Sequence, residues 1–257
     1  MREFYERLPA LLARHGTFAI ATVVQVAGSS PRDEGAKMVV LPDGAILGTL
    51  GGGSLEAGVI QDAQECLRSQ TPALKGYDLT ESGLGMKCGG RVQVYIEPVC
   101  PARRLVIFGG GHVGKAVARL AHETGFATEV VDDRPEHLAP AAYPEGVRLT
   151  KIGADFREGY EAPGARDFAV VVTRQADLDA DLAGRCAGTC AYTGVMGSLK
   201  KRAFIRRRLS DAGVPEEVIA KIHCPMGLDI GSDTPVEIAF SVLAELIALR
   251  ASLRRTP

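Results

Sequence analysis

The sequence predicts an α/β protein in two parts: an N-terminal α+β domain over residues 1–100, and a C-terminal domain built on a parallel sheet over residues 101–257. Three observations predict it. The second half alternates short β-branched runs with helical stretches, the pattern of a parallel sheet with helices on both faces. The first half carries strand runs, a hairpin signal and two helical stretches without that alternation. Between them lies EPVCPARR, residues 97–104, whose two prolines interrupt regular pairing before a fresh apolar run begins.

In the first half, residues 2–15 read as an amphipathic helix and FAIATVVQVA as a strand. GSSPRDEG is a loop, and AKMVVLP and AILGTL are strands around a PDG turn. GGGSLEAGVIQDAQECLRSQ runs from a glycine loop into a helix. Later strands near YDLT and RVQVYIE flank a second glycine-rich stretch, GLGMKCGG. In the second half RLVIFGG is a buried strand, followed by the helix HVGKAVARLAHETG with Gly125 just past its end. ATEVVDD, VRLTKIG, FAVVVTR and AYTGVMG continue the strand series. TPVE, residues 234–237, has the form of a capping box with Pro235 at the first helical position, and it launches a long apolar helix.

The 257 residues suffice for two cores, and 46% hydrophobic with 24% charged residues is a soluble globular balance. A net charge of −1 supplies no global field for nucleic acid or an anionic membrane, so neither is expected as a partner. No apolar run reaches the roughly 20 residues of a membrane helix. MREFYERLPALLARHG carries acids and lacks a long apolar centre, so it does not read as a signal peptide, and a cytoplasmic location is expected. Six scattered cysteines without a CxxC pair argue against a disulfide framework and against zinc. Cys186 and Cys190, four apart on an expected helix, read as core packing.

GGGHVG, residues 109–114, follows the strand RLVIF and opens a helix, so Gly109, Gly111 and Gly114 match GxGxxG in the context that motif requires. They serve the tight turn, close approach of a pyrophosphate, and helix–strand packing. The helix N-terminus adds free N–H groups and a positive dipole end. This makes the second domain Rossmann-like. Asp132, about twenty residues on, stands where an acid accepts a ribose hydroxyl, and Arg134 leaves room for a 2′-phosphate. NAD(P) or another nucleotide is therefore a candidate ligand. His112 reads either as a ligand-facing residue or as an exposed helix-start residue. In VMGSLKKRAFIRRRL, Ser198 is placed to cap a helix. Lys200 and Lys201 in its first turn oppose the helix dipole unless an anion sits between them, whereas Arg206 to Arg208 read as a solvated face. CPMGLDIGSD is expected to line a crevice at the strand ends.

Three glycine segments mark the first domain: GSSPRDEG, GGGSLE and GLGMKCGG. Glycine permits positive φ and close backbone approach, so three such loops point to backbone N–H groups converging on a ligand. Gly52, Gly53 and Gly89 are the backbone candidates. Glu56 is either an N-terminal helix charge or a polar ligand group. Cys88 among glycines is an accessible thiol whose thiolate backbone donors stabilise, the form that ligates soft metals or carries sulfur. The alternative is a small residue in a turn.

Taken together, ATVVQVAGSSPRDEGAKMVV, GTLGGGSLEAGVI, GLGMKCGG, VIFGGGHVGKAVARLA, VVDDRPE, TGVMGSLKKR and IHCPMGLDIGSDTPVEIA resemble the XdhC/CoxI family of molybdenum-enzyme accessory proteins, in order and over nearly the whole chain. The resemblance implies an N-terminal XdhC/CoxI domain and a C-terminal Rossmann domain. It implies binding of molybdenum cofactor (molybdopterin, with or without a dinucleotide extension), its protection, and help in sulfuration and insertion into an apoenzyme of the xanthine dehydrogenase or carbon monoxide dehydrogenase type. It further implies a homodimer, with a cysteine desulfurase as a candidate second partner, and a chaperone without turnover of its own. Some relatives carry cysteine where this chain has Ser54, so a two-thiol metal site is not expected and Cys88 is the thiol and metal candidate of the first domain. The competing reading is an NAD(P)-dependent oxidoreductase that uses the Rossmann turn.

Overall fold

The computed structural model describes residues 2–80, 83 and 89–255. Two compact units divide the chain: Met1–Pro101 with Arg250–Pro257, and Ala102–Leu249.

The first unit is an antiparallel sheet with a helix on each face. Helix α1 (Arg2–His15) precedes strands β1 (Phe18–Ala27), β2 (Lys37–Val40) and β3 (Ile46–Gly48); α2 (Gly53–Ser69), β4 (Ala73–Asp78) and β5 (Arg91–Val99) follow. The sheet order is β3-β2-β1-β5-β4, and every pairing is antiparallel. The two-residue period of a strand explains the layers. Phe18 and Ile20 point to one face, where Phe4, Leu8 and Leu11 of α1 cover them. Ala19, Ala21 and Val23 point to the other, where Leu55, Val59 and Ala63 of α2 complete a second core. Strand β4 covers ALKGYD rather than the expected YDLT. It is an edge strand whose alternation is weak (only Tyr77 is buried), so sequence pattern locates it poorly.

The second unit is a parallel sheet of β6 (Arg104–Phe108), β7 (Ala127–Asp132), β8 (Arg148–Lys151), β9 (Phe168–Val171), β10 (Tyr192–Val195) and β11 (Ile222–His223). The order β8-β7-β6-β9-β10-β11 is the doubly wound 3-2-1-4-5-6 arrangement, with all pairings parallel. Near-continuous burial of β6, β9 and β10 follows from coverage on both faces. Helices α3 (His112–Glu123), α4 (Ala176–Ala187), α5 (Leu199–Asp211), the short α6 (Glu216–Ile219) and α7 (Pro235–Arg255) complete the order. The expected capping box at α7 is reciprocal: Thr234 N–H donates to Glu237 Oε2 at 2.8 Å, and Glu237 N–H to Thr234 Oγ1 at 3.3 Å. Helix α4 stops at Ala187, capped by Gly188, so Cys190 lies beyond the helix on which it was expected. Its N–H still reaches the Cys186 carbonyl at 2.8 Å. Both thiols are free, and Cys186 is buried in the core as expected. Among the described residues no helix is long and apolar enough to cross a membrane.

Candidate functional site

In the first unit the loop over residues 28–35 touches the second glycine loop at Gly51 and the described end of the third at Gly90. A Cβ on Gly28 would sit 3.1 Å from Gly90 Cα, and one on Gly90 would lie 2.9 Å from the Ala27 carbonyl oxygen, so glycine is required for this approach. On the other side, a Cβ on Gly51 would fall 2.5 Å from the Pro31 ring. Gly51, Gly52 and Gly53 have φ of 116°, 81° and 64°, the left-handed region that favours glycine. The chain thereby turns sharply into α2. A Cβ on Gly52, Gly53 or Gly89 would meet nothing within 4 Å. These three line open space rather than a packed core. Helix α2 starts at Gly53, and its N-cap Gly52 supplies no side-chain cap, which leaves the N–H groups of the first turn to an outside acceptor.

Glu56 is what holds this turn. Its Oε1 accepts from Thr49 Oγ1 at 2.5 Å, Leu50 N–H at 2.8 Å and Gly52 N–H at 3.0 Å. Burial pushes its pKa up, but the bonds from Thr49 and the backbone of Gly52, Leu50 and Gly51 outweigh it, so the carboxyl lies below its usual value. Of its two sequence readings, this geometry is that of a loop staple. Cys88 lies outside the described residues. Gly89 beside it has φ 73°, and its N–H donates to the Leu79 carbonyl at 3.1 Å.

In the second unit Gly109, Gly111, His112, Gly114 and Asp132 come together where β6 and β9 part, at the topological switch point. Gly109 has φ 112°, and a Cβ there would lie 2.6 Å from the Val172 carbonyl oxygen. A Cβ on Gly114 would collide with the Gly109 carbonyl oxygen. Both glycines are steric necessities of strand–turn–helix packing. Gly111 differs: a Cβ there meets open space, and it begins α3 without a side-chain cap. His112 is exposed. This leaves an uncapped helix start open to an anion.

Asp132 is fully buried, and its oxygens are already engaged. Oδ2 accepts from Gly110 N–H at 2.6 Å and Arg134 Nη2 at 3.2 Å; Oδ1 accepts from Arg134 N–H at 2.9 Å and Nε at 3.1 Å. Burial raises its pKa, and these bonds more than offset that, so the carboxylate is held below its usual range. A ribose diol would have to displace Arg134 to reach it.

At the start of α5, Ser198 accepts from Lys201 N–H at 3.3 Å, as an N-cap does. Lys200 is exposed. The Lys201 ammonium turns inward to the buried Asp179, and also donates to the Met196 carbonyl at 2.8 Å. Asp179 in turn takes the Thr173 hydroxyl at 2.5 Å. The anion reading of this turn therefore rests on Ser198 and Lys200, while Lys201 compensates a buried carboxylate. Asp179 gave no sequence signal, because nothing local marks an acid in an ordinary helix as the partner of a lysine 22 residues on. Arg206 and Arg208 form surface pairs with Glu216 at 2.6 Å and Asp177 at 2.8 Å, in keeping with a solvated face. CPMGLDIGSD runs beside the end of β10, with Met226 N–H on the Val195 carbonyl at 3.2 Å. Glu245 anchors it there, taking Gly227 N–H at 2.5 Å, Tyr192 Oη at 2.7 Å and His223 Nδ1 at 2.6 Å. Among the described residues no group of three His, Cys, Asp or Glu is placed to hold a metal.

Comparison with known proteins matches residues 105–246 to the XdhC Rossmann domain and residues 11–78 to the XdhC and CoxI family. The uncharacterized Escherichia coli protein YqeB is 37% identical over 238 residues, 91% of this chain, and the chain spans 43% of that relative's length. The E. coli molybdenum cofactor insertion chaperone PaoD is 23% identical over 94% of this chain and 86% of its own. A crystal structure from Bacillus halodurans, described as a xanthine dehydrogenase, is similar with a TM-score of 0.52 at 25% identity, over 96% of this chain and 95% of that one. With the Rossmann model alone matching more than half of the chain, this protein belongs to the XdhC/CoxI family.

Proposed function

We propose that this chain is an accessory protein for a molybdenum enzyme of the xanthine dehydrogenase type, and that it binds molybdenum cofactor and delivers it to the apoenzyme. The observation that carries this is the contact of the loop over residues 28–35 with both Gly51 and Gly90, with Gly52, Gly53 and Gly89 facing open space and the start of α2 uncapped. The Gly52 and Gly89 N–H groups are already bonded, so the donors here are those of the uncapped first turn of α2; with open approach over three glycines, they fit an oxygen- and sulfur-rich ligand better than turnover chemistry. The relative PaoD, named as a cofactor insertion chaperone, supports the same reading. When bound, the cofactor supplies a dithiolene-held metal, a pterin ring and a phosphate. The residues that would hold it in the first domain, residues 1–100, are Gly52, Gly53, Gly89 and Cys88, with Glu56 holding the loop in shape and the Cys88 thiol meeting the metal or its sulfur. In the second, residues 101–257, the open Gly111 and the starts of α3 and α5 suit a phosphate or a nucleotide extension. His112 and Lys200 are its charged or polar neighbours. The filled Asp132 favours this over a dinucleotide oxidoreductase, because the diol acceptor of that reading is already saturated. Work as a homodimer in the cytoplasm, protection of a sulfurated cofactor, and recruitment of a cysteine desulfurase belong to the same proposal.

The test is delivery. Cofactor preincubated with the chain should activate a cofactor-free molybdenum hydroxylase faster, and with less loss to oxidation, than cofactor added free. Equal rates and equal losses with and without the chain would overturn the proposal.

A further inference from the structure

Beside the glycine loops, on the face of the first sheet that α1 covers, lies an open hollow of about 420 Å³. Arg7, Arg32 and Lys37 line it, with no acid among its lining residues. Phe4 and Leu47 give it an apolar side. The backbone fixes its cations. A Cβ on Gly48 would sit 2.7 Å from the Lys37 carbonyl oxygen, so glycine there lets β2 and β3 close and brings Lys37 beside Thr49. Lys37 Nζ donates to Thr22 Oγ1 at 2.8 Å, which anchors a half-buried ammonium and leaves two of its donors. Arg32 is carried by the loop that Pro31 pins against Gly51, and Ser30 Oγ donates to its carbonyl at 2.9 Å. Among the described residues the Arg32 guanidinium has no carboxylate partner, in a unit where Lys75 and Arg91 both have one. Thr49 belongs to the hollow and to the loop staple at once, since its hydroxyl bonds Glu56.

We propose that this hollow is an oxyanion subsite that takes the phosphate end of a phosphorylated organic ligand, with Arg32 and Lys37 as its binding residues. Guanidinium supplies a planar two-donor fork to phosphate, and ammonium supplies a point charge. The Phe4 and Leu47 side suits the carbon skeleton that carries the group. The assignment rests on the cofactor-binding reading above, because Thr49 joins the hollow to the same glycine loop. Neither Arg32, within the GSSPRDEG loop, nor Lys37 carries a local sequence signal for this role.

The probes are inorganic pyrophosphate and inorganic phosphate, titrated calorimetrically into the full chain and into Arg32→Ala, Lys37→Met, Gly111→Glu and, as a control on the solvated face of α5, Arg207→Ala. Circular dichroism melts confirm that each variant is folded. Pyrophosphate should bind the wild type and weaken with added salt. Arg32→Ala and Lys37→Met should each weaken it by about tenfold or more, and Arg207→Ala should leave it unchanged. Equal affinity in the wild type and both hollow variants, or loss only in Gly111→Glu, overturns the subsite. Molybdopterin retention is measured on the same samples. Arg32-dependent pyrophosphate binding without cofactor retention would sink the chaperone reading and keep the anion site; retention with unchanged hollow variants would do the reverse.

Discussion

Glu56 shows how one side chain shapes a site it need not touch. Three donors from the preceding turn converge on a single carboxylate oxygen, and the turn they hold presents Gly52 and Gly53 outward. The native pKa is depressed, so ionisation favours the fold: the contribution is fully present above the unfolded value near 4.5 and is lost as pH falls through the lower native value. Glu56→Gln should therefore destabilise the protein at pH 7 by about 1 kcal/mol, after allowance for solvent screening. That gap should close as pH falls from the unfolded value near 4.5 through the lower native one. Urea melts across pH check this, and a gap constant from pH 7 to pH 3 would contradict it. The acid itself was visible in the sequence next to GGGS, but its role was not, because only the folded turn shows which donors reach it. Asp132 teaches the same lesson. Its position after a strand and a GxGxxG turn was readable, whereas Arg134 closing over it depends on a side-chain rotamer.

At the scale of elements, the strand ends of the second unit are held by a buried ion pair. Lys201 enters from the first turn of α5, Asp179 from α4, and Thr173 from the turn just after β9. Breaking such a pair by removing one partner costs about 3–5 kcal/mol, because the other charge is left buried without compensation. Lys201→Met should lose that much stability in denaturant melts, and Lys201→Met with Asp179→Leu should recover a large part of it. Additive losses in the double variant would show that the pair is not the determinant. Element type was largely legible here. β-branched runs and helical stretches alternate, Ser198 and the Thr234–Glu237 box mark helix starts, and Gly125 follows a helix end. What escaped was short or at an edge: β11 is two residues long, α6 is four, and β4 alternates too weakly to fix its limits. Such elements exist because neighbours supply their hydrogen bonds, which no local pattern records.

For the whole molecule, two units of different architecture each end in glycine-lined, uncapped helix starts that face open space. Strand order was beyond the sequence. The 3-2-1-4-5-6 arrangement follows from handed crossovers and long-range packing, although alternation alone already argued for a parallel sheet. The convergence of the three N-terminal loops was expected from their glycine content. The contacts that bring it about, Pro31 on Gly51 and Gly28 on Gly90, required the fold. Centrally, this glycine-built surface, together with Cys88, is proposed to hold molybdenum cofactor. The most direct test is retention of cofactor through gel filtration by the wild type and by Cys88→Ser, read as fluorescence of the oxidised pterin. The account predicts that the wild type retains the cofactor and the variant, equally folded, loses most of it. Equal retention would remove Cys88 from the site, and no retention by the wild type, under conditions that preserve free cofactor, would contradict the account as a whole.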